Sequence, residues 1–167
     1  MRVLGICLAF LAQCMLASPV LAQQGDSDPR TASAYCTFDD GMEVSVHYNP
    51  VVKDEPRNGK VWLPGGLPIT LFTQAPLALN NFPIPVGAYS VYVIPDRKEW
   101  TLIVSKNVSA GVPYDDKDDV ARSPMELGEI DSPPKQLKVS LAHSAPKKCG
   151  IRFYYGKTGA FADFVEQ

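Results

Sequence analysis

Apolar and polar residues alternate with a period of two through much of this chain. In residues 87–105, Tyr89, Val91 and Val93 share one face of a first run, and Trp100, Leu102 and Val104 share one face of a second. A short polar turn separates the runs, which is the signature of a β-hairpin with one buried face. Upstream, Met42, Val44, Val46 and Tyr48 alternate with Glu43, Ser45 and His47, behind a turn at Asp39-Asp40-Gly41. Downstream, Leu137, Val139 and Leu141 alternate with Lys138 and Ser140. Cys149, Ile151, Phe153 and Tyr155 then alternate with Gly150, Arg152 and Tyr154, and a short strand is expected over 161–165. Shorter strands are expected over 60–63, 69–73 and 77–80, with the Pro- and Gly-rich turn 63–68 between the first two.

Between these runs lie a charged loop at 53–59, a proline-rich approach at 81–86 and a long irregular stretch at 106–119. Residues 120–130 fit neither period, because Pro124 interrupts them. No segment carries an amphipathic helical stripe, and the fifteen prolines are scattered throughout. Many short strands at close spacing predict an all-β fold: one antiparallel β-sandwich over 34–167, with barrel-like closure as its variant.

The first 22 residues read differently. Arg2 precedes an apolar run from Val3 to Leu16, Ser18-Pro19 breaks it, and Val20-Leu21-Ala22 suits a signal peptidase. The run is shorter than the roughly 20 apolar residues of a spanning helix. A cleaved signal peptide over 1–22 is therefore expected, followed by a flexible polar leader over 23–33 and no transmembrane segment in the mature chain. The expected location is periplasmic or extracellular. Of the four cysteines, Cys7 and Cys14 leave with the signal, and Cys36 and Cys149 are left as an even pair in an oxidising compartment. As a disulfide they would close nearly the whole domain, a constraint of roughly 4–5 kcal/mol in the chain-entropy picture. Free or redox-active thiols are the alternative, without a Cys-x-x-Cys to favour it. A net charge of −2 argues against a nucleic-acid partner.

Candidate chemistry is sparse. There is no Gly-x-Ser-x-Gly elbow, no Gly-x-Gly-x-x-Gly and no Walker pattern, so no cofactor is expected. The two histidines, His47 and His143, have no ligand-like local spacing, and no metal is expected. Residues 115–119 could offer oxygens to calcium but lack the alternation of an EF-hand loop. Aromatics are the remaining candidates for a stacking surface: Trp62, Tyr92 and Trp100 among them, with Tyr92 and Tyr154 out of phase with the apolar faces and expected to point outward.

Four pieces of the chain resemble a bacterial family, domain of unknown function 2911. They are Cys36 with Asp40-Gly41 and Val44-Ser45-Val46-x-Tyr48; Gly59-Lys60-Val61-Trp62; the hairpin entry from Pro85 to Ser90 with Ile94-Pro95 and Glu99 to Ile103; and Asp119-Val120-Ala121-Arg122. The resemblance implies an exported β-rich domain whose activity is not established, with a second cysteine in some members where Cys149 falls. In the family pattern Gly-Lys-Val-Trp continues as Arg-x-Gly-Ala-Asn-Glu-Ala-Thr, whose Arg, Asn and Glu form its best candidate polar site. Here Leu63, Leu67 and Pro68 stand in their places, so a ligand held by those groups would have to be held differently.

The expectation is a non-enzymatic binding or envelope-associated module, with a face around Trp62, Tyr92, Trp100 and His47. Its ligand would be a small molecule, a glycan or an envelope protein. The rival is a hydrolase-like or metal-dependent enzyme using His47 or His143 with nearby carboxylates.

Overall fold

A computed structural model describes residues 31–109 and 111–167. The expected signal peptide and most of the polar leader lie outside the described residues. Eleven strands follow in order: β1 (Ala32–Thr37), β2 (Glu43–Tyr48), β3 (Ile69–Thr73), β4 (Leu77–Leu79), β5 (Phe82–Ile84), β6 (Gly87–Ile94), β7 (Trp100–Ser105), β8 (Asp119–Glu129), β9 (Lys138–Ala145), β10 (Lys148–Tyr155) and β11 (Thr158–Glu166). They form an antiparallel sheet in the order β1-β2-β3-β6-β7-β8-β11-β10-β9, with β4 paired to β11 and β5 to β4. The sheet curls until β1 lies against β9, so the all-β fold is an antiparallel sheet nearly closed into a barrel. Among the described residues no helix is long and apolar enough to cross a membrane.

The alternation places the core. Val44 and Val46 of β2, Leu71 of β3, Val91 and Val93 of β6, Leu102 and Val104 of β7 and Ile151 and Phe153 of β10 all point inward and are buried. The hairpin pairs as its pattern implies, Val91 opposite Val104 and Val93 opposite Leu102. Residues 120–130, which fit no period, belong to the longest strand, β8. Asp119–Met125 of β8 pair with β7, and Glu126–Glu129 pair with β11. Pro124 sits where the partner changes, on the exposed side, so its missing N–H falls where one ladder ends. The expected strand at 60–63 reduces to one bridge, Trp62 to Val93.

Closure leaves a seam between β1 and β9. Cys36 of β1 and Cys149 of β10 are joined across it as a disulfide, with Cα atoms 6.2 Å apart. The Asp39 N–H donates to the Pro146 carbonyl at one end, and the Leu137 N–H to the Pro50 carbonyl at the other.

Segment 49–68 folds over one end of the interior and is fastened by Trp62. The Trp62 indole N–H donates to the Asp54 carbonyl at 2.7 Å. Its ring packs edge-on to Trp100 at 5.8 Å and against Tyr155 at 5.1 Å, and the Tyr155 hydroxyl donates to the Glu55 carboxylate. Replacing Trp62 with Phe keeps a ring but leaves the Asp54 carbonyl unpaired, so it should cost about 1–2 kcal/mol in denaturant unfolding. Trp62→Ala should cost about 3–5 kcal/mol. Equal, near-zero losses for both would contradict this fastening role.

Candidate functional site

The register of five strand pairs aligns polar residues that are distant in sequence. Ser33 faces His47, His47 faces Thr70, Thr70 faces Ser90, Ser90 faces Ser105, and Ser105 faces Asp119. All lie on the outer side of the sheet, because their neighbours in each strand form the core. The two ends of this row differ. Ser90 and Ser105 are only 3% and 2% exposed, whereas Ser33 and His47 are open to solvent.

Residues 111–118 cover the β6–β8 end. Tyr114 lies against Tyr92 with ring centroids 4.9 Å apart. Its hydroxyl donates to Asp119 Oδ2 at 2.8 Å, and Arg122 donates to the same oxygen through Nε and forms an ion pair with it through Nη2. Arg122 Nη2 also donates to the Tyr114 hydroxyl at 2.7 Å, closing a three-residue clasp. Asp119 is nine-tenths buried, and its Oδ1 has no hydrogen-bond partner among the described residues. Two other acids of this segment have local partners: Asp115 Oδ1 accepts from the Lys117 N–H, and Asp118 pairs with Lys106. Among the described residues no group of three or more His, Cys, Asp or Glu side chains could hold a metal ion. An open depression of about 570 Å³ lies on this segment between Tyr114, Asp116 and Arg122.

Among the described residues nothing covers the β1–β3 end, which leads into a groove of about 470 Å³. Its floor is His47, Tyr48 and Thr70, and its walls are Val51, Leu67 and Pro68, with Lys53 at the side. Two turns build it. After β2, Asn49 Oδ1 accepts from the Val51 N–H, and the Lys53 N–H donates to the Pro64 carbonyl. Opposite, the Gly66 N–H donates to the Leu63 carbonyl, with Gly66 at φ 77°. The turns meet at Gly65, where a Cβ would stand 2.5 Å from that of Asn49. Gly65 thus serves the close approach of the two turns, and Thr70 lies on the floor. His47 also stands edge-on to Phe72, 5.5 Å away.

With this geometry in view, the family match is direct: the family model described as "Protein of unknown function (DUF2911)" matches residues 31–163. The chain belongs to this family. No curated protein and no solved structure matches it. The match spans the seam, the groove and the clasp of this DUF2911 domain alike.

The expected site residues separate in space. Trp62 and Trp100 are 3% and 6% exposed and pack together in the interior. Tyr92, expected to point outward, does so but is 4% exposed, because Tyr114 covers it. His47 alone of the four is open, at the groove. His143 stands at the seam, with Nε2 3.4 Å from Asp39 Oδ1, both exposed. Residues without an expectation attached, Lys53, Leu67, Tyr35 and Phe72, complete the open end. The readable signal for Tyr35 and Phe72 was their position: each is aromatic at the outward step of a period-two strand.

Burial raises the Tyr114 pKa well above that of an ordinary tyrosine, and its hydrogen bond to Asp119 raises it further. Burial also raises Tyr92. A phenol kept neutral in the fold adds stability that is complete below the usual tyrosine pKa of about 10 and is lost as pH rises toward the folded value. In an alkaline titration followed by tyrosinate absorbance and circular dichroism, a late-ionising group should appear together with loss of structure, and Tyr114→Phe should remove part of it. Ionisation of every tyrosine near pH 10 in an intact fold would contradict the clasp.

Proposed function

We propose that this domain is a non-enzymatic binding module, exported to the periplasm or cell exterior, whose ligand seats in the groove beside His47. The observation that carries this reading is the composition of the groove. Val51, Leu67 and Pro68 supply apolar walls, Lys53, His47 and Thr70 supply polar groups, and no carboxylate lines it. Such a cleft suits a molecule with one apolar flank and several hydrogen-bond acceptors. The disulfide is consistent with an oxidising compartment.

A hydrolase-like reading needs a histidine beside a carboxylate inside a concavity. This chain divides those features between two residues. His47 lines a groove without an acid, and His143 has Asp39 but stands with it on exposed surface. The binding reading needs no such pairing.

Chemical-shift mapping of the mature domain against a library of small polar fragments tests the reading. Perturbations should cluster on residues 47–53 and 65–70. Leu67→Glu, at a residue 56% exposed, should abolish them without unfolding the domain. Perturbations centred on Tyr114 and Arg122, or unaltered by Leu67→Glu, would overturn the groove as the site.

A further inference from the structure

Beside the groove, the outer face of β1–β3 carries a second row in register: Tyr35 faces Ser45, and Ser45 faces Phe72. Tyr35 is 69% exposed and Phe72 43%, although both sit in strands whose inward residues are well packed. They are separated by two interstrand steps, about 9–10 Å. Ser45 lies between them, and Ser33, His47 and Thr70 form the adjacent row. Among the described residues, this face carries no Asp, Glu, Lys or Arg between Glu43 at one end and Lys53 at the groove.

From this arrangement we propose that the β1–β3 face binds a neutral, extended β-1,4-linked glycan, which crosses the strands over Tyr35 and Phe72 with one edge along the groove at His47. The inference rests on the groove reading and names its ligand class. Sugar rings offer an apolar C–H face to an aromatic ring and hydroxyls at their edges, and this surface presents rings and hydroxyl groups in alternation. The separation of Tyr35 from Phe72 matches alternate rings of an extended chain, the first and third stacked on the two aromatics and the second lying over Ser45. A nucleic acid would require basic groups that the face lacks. A protein partner would be favoured by a continuous apolar patch, and here Ser45 interrupts one. His47 and Thr70 belong to both the face and the groove, so a chain stacked on Tyr35 and Phe72 turns the hydroxyls of one edge toward the groove.

Calorimetric titration with cellohexaose and chitohexaose, against their disaccharides, tests the proposal. At least one hexasaccharide should bind, and its disaccharide should bind at least tenfold more weakly, since it cannot reach both rings. Tyr35→Ala and Phe72→Ala should each weaken the hexasaccharide about tenfold while the thermal transition stays in place. Failure of both hexasaccharides, or affinity unchanged in both variants, overturns the glycan proposal. Fragment perturbations that still map to residues 47–53 and 65–70 would then leave the groove reading standing, and their loss as well would remove both. Self-association of the domain that Tyr35→Ala abolishes would assign the face to a second copy and likewise overturn it.

Discussion

β8 hydrogen-bonds to β7 along Asp119–Met125 and to β11 along Glu126–Glu129, so one strand serves both halves of the sheet. At the opposite side, the Cys36–Cys149 disulfide ties β1 to β10 where β1 and β9 meet without a full ladder. The curl of the sheet depends on these two joints together. With β8 alone, β1 and β9 would be free edges, each with a row of unpaired backbone groups. The disulfide closes a loop of 113 residues, long enough that its constraint on the unfolded chain amounts to about 4–5 kcal/mol. That is comparable to the whole net stability of a small domain.

Closure fixes the inner face, and the outer face then divides into two unequal parts. Over β6–β8, the Tyr114–Asp119–Arg122 clasp holds residues 111–118 down, and Ser90, Tyr92, Ile103 and Ser105 disappear beneath them. Over β1–β3 nothing comparable exists among the described residues, and Tyr35, His47 and Phe72 stay in solvent. The same polar row runs through both parts. What distinguishes a buried serine from an open histidine here is the loop above it, not the strand beneath. Two turns that meet at Gly65 then add walls to the open part and make it a groove.

Much of this architecture was legible in the alternation of residues, because strand burial follows directly from period two. The hairpin at β6 and β7 is the clearest case. β8 was obscured by Pro124, whose cost depends on which neighbour it would bond, a matter decided only by the change of partner from β7 to β11. The site was less legible. Trp62 and Trp100 are large aromatics near turns, and nothing local separates a ring that fastens segment 49–68 from one that meets a ligand. Tyr92 does point outward, as its phase implies, and is hidden by a residue 22 positions away in sequence. The groove combines side chains from β2, β3 and two turns, and the Asn49–Gly65 approach that shapes it has no signature in either turn alone.

The account holds that the disulfide and β8 together keep β1–β3 curled and in register, and so maintain the outer face at Tyr35, His47 and Phe72. Hydrogen-exchange mass spectrometry of the purified protein, with the disulfide intact and then reduced, addresses this directly. Reduction should accelerate exchange in β1, β2 and β9 at the seam while β6, β7 and β8 stay protected. Unchanged protection at the seam, or a uniform loss across all strands, would contradict it.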